Sequence, residues 1–159
     1  MVIEPYEDSK LDAIVRLSLR AWEPVFESLK TAMLPNVYRA FYADDWRVAQ
    51  RRAVESVCAD ENVPVWVALE ETRTVGFVAL KLHPEDRMGE VYMIAVDPDF
   101  QRRGIATRLT RHSNEWFKNA GMSIVMVETG GDPGHAPARR TYEAAGFHVL
   151  PVSRYFKSL

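Results

Sequence analysis

The spacing of apolar side chains changes period along the chain. Leu11, Ile14, Val15, Ser18 and Trp22 share one face at helical spacing, with Ser9 placed to cap the helix and Pro24 to interrupt it. A second helical stretch runs from about Pro35 or Asn36 to Ala59 on Val37, Phe41, Val48, Val54 and Val57. Then the pattern shortens. "VPVWVALE" (63–70), "TVGFVALKL" (74–82) and "GEVYMIAV" (89–96) are rich in β-branched and aromatic residues and read as strands, with "EETR" as a hairpin turn between the first two. A short strand at 2–6 precedes them, and "SIVMVET" (123–129) follows. Between the last two strands, Ile105, Leu109, His112 and Trp116 mark an amphipathic helix over about 102–119. Strand 89–96, this helix and strand 123–129 form a β-α-β unit, expected to be a right-handed crossover joining parallel strands.

No internal repeat, low-complexity tract or linker-like shift divides the 159 residues, so one domain over 1–159 is expected. Such a length buries roughly two-thirds of the surface of the unfolded chain and needs no staple. The 20 basic and 22 acidic residues argue against a dedicated nucleic-acid binder. The single Cys58 cannot form an internal disulfide and fits a reducing compartment. No apolar run approaches the roughly 18 residues of a membrane span, and "MVIEPYEDSK" is not a signal peptide. A cytoplasmic protein without membrane attachment is expected. His83, His112 and His148 lack metal-ligand spacing, and no metal is assigned.

Gly104 lies in the opening turn of the 102–119 helix, where glycine costs roughly 1 kcal/mol relative to alanine. A helix start after a strand directs unpaired N–H groups and the positive end of the helix dipole toward any anion beyond the strand. A glycine there lets a phosphate approach the main chain, Ala106 keeps the next turn open, and Arg102 and Arg103 add positive charge. Taken alone, "RRG" is more often a packing or capping feature. The chain has no G-x-x-x-x-G-K-[ST] and no G-x-G-x-x-G, which sets aside the common nucleotide loops.

With its flanks, "VYMIAVDPDFQRRGIATRLTRHSNEW" resembles the acyl-CoA-binding core of the GNAT superfamily of acetyltransferases, in which V-x-P leads into Gln/Arg-x-x-Gly-x-Gly/Ala. The matching residues are Val96, Pro98, Gln101, Gly104 and Ala106. A second segment, "HAPARRTYEAAGF" (135–147), resembles the family's A-x-x-x-Y-x-x-x-G-F through Ala138, Tyr142, Gly146 and Phe147. The resemblance implies a mixed, mostly antiparallel α/β (α+β) sheet of about seven strands, with helices on both faces and a final hairpin from about Phe147 to Ser158. It also implies acetyl-CoA as donor: pyrophosphate on the main chain of Gln101, Arg102, Arg103, Gly104, Ile105 and Ala106, and pantetheine beside Ile94, Ala95 and Val96. Relatives open a gap between neighbouring strands here, so that an N–H near Ile94 or Ala95 can polarise the thioester carbonyl.

Direct transfer to an amine requires a base for the amine and an acid for the departing thiolate. Tyr142 falls at the family position facing the sulfur, although a core aromatic would look the same. Glu90 begins a strand with no other ionised side chain through Val96, and alternation places it on the face of Tyr92, Ile94 and Val96. It is the candidate base; a solvated strand-end acid is the alternative. Where many relatives carry asparagine, this chain has His135, open to three readings: a cofactor contact, a second base or a surface residue. By resemblance the first helices roof the acceptor, making Trp22 and Phe26 its apolar wall, with Tyr92 lining the pocket or packing. The function expected is acetyl transfer from acetyl-CoA to a primary amine of a small molecule. Alternatives are a protein or peptide N-acetyltransferase, a non-catalytic acyl-CoA-binding module, or a different donor such as succinyl-CoA. The apolar edge of "FHVLPVSRYFKS" and the habit of relatives suggest a homodimer.

Overall fold

Residues 1–42 and 45–159 are described by a computed structural model. Five strands, β1 (Val2–Pro5), β2 (Val65–Glu70), β3 (Arg73–His83), β4 (Met88–Val96) and β5 (Ile124–Val127), form one sheet in chain order. The first four pair antiparallel, and β5 lies parallel to β4. Helices α1 (Leu11–Ala32), α2 (Pro35–Tyr42) and α3 (Trp46–Ala59) precede β2, α4 (Ile105–Asn119) links β4 to β5, and α5 (Ala136–Ala144) follows β5.

The sheet divides two apolar layers. Ile14, Val15 and Leu17 of α1 and Val54 and Val57 of α3 cover Val67, Phe77, Ala79 and Ala95. On the opposite face, Ile105, Leu109 and Phe117 of α4 cover Val75, Val78, Leu80, Val91 and Val96. Each buried side chain of this size contributes about 1.5–3 kcal/mol, which is why strand alternation and helical period agree. Phe117 sits directly on Gly89, where an added Cβ would lie 2.2 Å from the ring. None of the described helices is long and apolar enough to cross a membrane.

Several expectations are corrected. Helix α1 continues through Pro24, because buried residues on both sides of it, Leu17, Ser18 and Phe26, hold the helix against the sheet despite the lost hydrogen bond. The stretch 35–59 is two helices: Asp45 caps α3 by accepting from the Arg47 N–H at 2.9 Å, and residues 43 and 44 lie outside the described residues. Among the described residues there are five strands rather than about seven, since 147–159 forms no hairpin. Pro151 removes a ladder donor from the middle of that segment. Its side chains reach α2 and the segment after β5 instead: Phe156 meets Phe41 edge-on at 5.8 Å, Asn36 donates to Ser158, and Arg154 lies 4.0 Å from Glu128.

The most consequential difference is a bulge in β4. Ala79 pairs with Met93, but the next residue, Leu80, pairs with Val91, leaving Tyr92 without a partner on β3. The extra residue changes the phase of the alternation. Met93 and Ala95 then face α1 and α3, while Val91, Ile94 and Val96 face α4. Strict alternation from Val91 therefore puts Glu90 on the α1 face, opposite Ile94 and Val96, contrary to the expectation.

Candidate active site

Beyond Val96 the chain turns through Pro98–Phe100 and enters α4 at Gly104, which is the N-cap rather than a residue of the first helical turn. Its φ of 77° is left-handed, so the residue is glycine for backbone reasons, and a Cβ there would meet nothing within 4 Å. The first helical hydrogen bond is Arg108 N–H to Gly104 O. The N–H groups of Ile105, Ala106 and Thr107 thus precede the ladder, at the positive end of α4. This is the cradle a pyrophosphate requires, and Gln101 to Ala106 fit it on that ground. Arg102, exposed at φ 59°, is a second left-handed residue in the turn. Arg103 folds back onto its own surface, donating to Asp99 O at 3.0 Å beside the Phe100 ring.

Side chains hold the turn. Gln101 donates to Val96 O at 3.1 Å. Asp97, only 5 % exposed, accepts from the Asp99 N–H, from Arg20 of α1 at 2.7 Å and from Arg73 of β3 at 3.1 Å. Sequence reasoning did not single out Asp97, Arg20 or Arg73. The available signal was "DPD", an aspartate before proline whose side chain closes an Asx turn.

β4 and β5 pair only from Met88↔Ile124 to Val91↔Val127. From Met93 to Val96, β4 pairs with β3 alone among the described residues, so a gap opens on its other edge beside Ile94, Ala95 and Val96. Glu90 stands just before this gap on the α1 face. Its carboxylate is 2.8 Å from His83 Nε2, while Lys81, its partner in register, lies with its ammonium over the Tyr92 ring. Tyr92 is exposed.

Past β5 the loop folds onto α1. Asp132 accepts from Ser28 at 2.7 Å and from the Gly134 N–H at 3.0 Å, and its other oxygen meets His135 Nδ1. Burial alone would raise the Asp132 carboxyl, but the hydrogen bonds from Ser28 and His135 outweigh it and hold the group below its ordinary range. With Nδ1 engaged, Nε2 is the ring nitrogen that His135 has to offer a ligand. Ala138 and Tyr142 lie on α5. Tyr142 is 8 % exposed, its ring is 5.9 Å from that of Phe147, and burial pushes its hydroxyl up to about 12.

The two residues expected to wall the acceptor differ. Trp22 is half-buried and packs edge-on to Phe77 at 6.3 Å. Phe26 is buried, stacked on Trp46 at 4.3 Å and edge-on to Tyr42. It packs α1 against α2 and α3.

Residues 22–147 match the model of the acetyltransferase (GNAT) family. The chain is 31 % identical to a mycothiol acetyltransferase of Thermomonospora curvata over 97 % of its own length and 52 % of the relative's. It is 32 % identical to the N-acetylaspartate synthetase of Rattus norvegicus over 57 % of its length and 30 % of that protein. It thus spans about half or less of these curated relatives. Among solved structures, an aminoglycoside N-acetyltransferase in complex with CoA superposes with a TM-score of 0.66 at 15 % identity, covering 99 % of this chain and 93 % of the other, a likeness of fold. With the helix-start cradle and the parted strands in place, the match over 22–147 makes the chain a member of the GNAT acetyltransferase family.

Proposed function

We propose that the protein transfers an acetyl group from acetyl-CoA to a primary amine of a small molecule, by direct attack with both substrates bound. The observation that carries this reading is the continuity of the Gly104 cradle with the gap along β4, which ends beside Glu90. Bound acetyl-CoA would supply an activated acetyl thioester. Main-chain groups of Gln101 to Ala106 would hold its phosphates, and the unpaired edge of Tyr92 to Val96 its pantetheine arm. The relatives whose names give a small molecule, mycothiol and N-acetylaspartate, favour such an acceptor.

In this reading Glu90 accepts the proton that the protonated amine must shed before attack. Tyr142 donates to the departing sulfur. Burial keeps its hydroxyl protonated throughout the neutral range and also makes it a weaker acid than ordinary tyrosine. Its role is therefore hydrogen-bond donation to the sulfur as charge develops there, rather than early release of its proton. His135 contacts the cofactor arm through Nε2.

The test is a thiol-release assay with acetyl-CoA across a panel of amino acids, aminoglycosides, polyamines and short peptides. Turnover with at least one small amine is expected. Turnover with peptides alone would transfer the reading to a peptide N-acetyltransferase, and acetyl-CoA binding without turnover on any amine would leave a binding module.

A further inference from the structure

The α1 face of the β3–β4 hairpin carries a pair of side chains of which the transfer chemistry uses only the glutamate. His83 is the last residue of β3, and its register partner is Met88; Glu90 pairs in register with Lys81. Yet His83 reaches diagonally across the ladder to place Nε2 2.8 Å from Glu90 Oε2. Lys81, opposite in charge and directly across from Glu90, has no carboxylate within 4.0 Å among the described residues, and its ammonium rests 3.2 Å from the centroid of the Tyr92 ring. The carboxylate has taken an imidazole in place of the ammonium of its register partner.

That choice has a chemical consequence. A lysine ion pair at Glu90 would put a full positive charge against the carboxylate and compete with an incoming ammonium for its lone pairs. An imidazole, unlike an ammonium, is able to donate through Nε2 without carrying a charge and so to orient one oxygen without neutralising the group. Oε1 has no hydrogen-bond partner among the described residues and remains for the acceptor. The Glu90 side chain is 16 % exposed and that of His83 33 %, so the imidazole separates the carboxylate from bulk water on one side. The pair stands where the β4–β5 ladder stops, at Val91↔Val127.

We propose that His83 is a positioning residue for transfer: through Nε2 it holds the Glu90 carboxylate in the rotamer that presents Oε1 to the acceptor amine at the end of the gap. The amine's N–H bond breaks as the Oε1–H bond forms, the nitrogen keeps its electron pair for attack, and His83 retains its hydrogen bond to Oε2 throughout. This rests on Glu90 being the base.

The experiment compares His83→Ala, His83→Gln, Glu90→Gln and the His83→Ala/Glu90→Gln double variant of the full chain, using acetyl-CoA and the panel amine of highest turnover. Glu90→Gln is expected to lower kcat about 10-fold to 10³-fold. His83→Ala should lower kcat about 10-fold with acetyl-CoA affinity unchanged by calorimetry. His83→Gln, whose carboxamide can still donate, should recover most of that loss. The double variant should be no slower than Glu90→Gln alone, as for residues that act as one unit. Wild-type kcat in His83→Ala, or a double variant as slow as the product of the two single effects, overturns the role of His83 and leaves Glu90 as base. Wild-type kcat in Glu90→Gln removes the base itself. Should His83→Ala fail to fold, ¹⁵N NMR of the wild-type imidazole decides: Nε2 must be protonated and its resonance must move in Glu90→Gln, and an unmoved resonance defeats the pairing.

Discussion

The Arg20 guanidinium stands 2.7 Å from Oδ1 of the buried Asp97, joining the middle of α1 to the turn that leads into Gly104. Arg20 also reaches Asp99 at 3.0 Å, and Arg73 closes on Asp97 from β3 at 3.1 Å. The helix carrying Trp22 is thus fastened to the turn before Gly104 by one carboxylate. Asp97→Ala leaves two arginines with only the exposed Asp99 and unties the Asx turn. Because both arginines are about half exposed, we expect a loss of about 1–3 kcal/mol in urea unfolding, together with weaker acetyl-CoA binding. Unchanged values in both measurements would show that the turn holds without this tie.

Gly104 and Gly121 offer a matched pair. Both are left-handed, at φ 77° and 82°, and neither position crowds an added Cβ. Gly104→Val and Gly121→Val should therefore lose comparable stability, on the order of 1–2 kcal/mol. Only Gly104→Val should weaken acetyl-CoA in calorimetry, by 10-fold or more as an order-of-magnitude expectation from blocked main-chain approach. Equal affinities in the two folded variants would detach this glycine from phosphate binding.

Tyr142→Phe keeps the ring and its contact with Phe147. Turnover should fall by about 10-fold to 10³-fold while acetyl-CoA affinity persists. The same variant has a signature in stability. The hydroxyl titrates at about 12 in the folded chain against 10.0 unfolded, so the folded state binds the extra proton between those values. Stability from this group is complete below pH 10 and is lost as pH rises from 10 through 12, by roughly 3 kcal/mol at most. Tyr142→Phe should remove that share of the alkaline loss in denaturation curves taken across the interval. Identical alkaline slopes in the two proteins would contradict the burial of this hydroxyl.

Gly89→Ala tests packing next to the candidate base. The new methyl would lie 2.2 Å from the Phe117 ring, itself fully buried, so either α4 or β4 must shift. A destabilisation of about 1–3 kcal/mol is expected by thermal unfolding. The companion Gly89→Ala/Phe117→Leu should recover some of it, and no recovery would mean that the strain lies elsewhere.

The periods of the chain carried the framework: the β4–α4–β5 unit, the β2–β3 hairpin and the helix face of Ile105 and Leu109 could be read directly, because each buries one face on one layer. The motif around Gln101 to Ala106 was legible because glycine at a strand-to-helix turn answers to the main chain. What was hidden depends on partners far apart in sequence. Arg20 meets Asp97 across 77 residues and Ser28 meets Asp132 across 104, and no local pattern marks either. The continuation of α1 through Pro24 was likewise decided by packing that the local breaker rule does not contain. The His83–Glu90 pair escaped because a diagonal contact needs the register of the ladder, which a scan for metal-ligand spacing does not supply.

The unpaired Tyr92 makes β4 sensitive to parity. Were Tyr92 paired with Leu80 in simple alternation, Ile94, Ala95 and Val96 would keep their β3 partners, but every residue upstream of Tyr92 would slip one place along β3 and turn to the other side of the sheet. Glu90 would then point into the layer under α4, and Gly89 and Val91 would turn toward α1. Loss of Tyr92 alone would remove the bulge and leave Glu90 opposite Lys81 on the α1 side, whereas pairing Tyr92 with Leu80 would put Val91 there in place of the acid. An acid on the α1 side at this height of the strand requires Val91, and not Tyr92, opposite Leu80, as well as the acid itself.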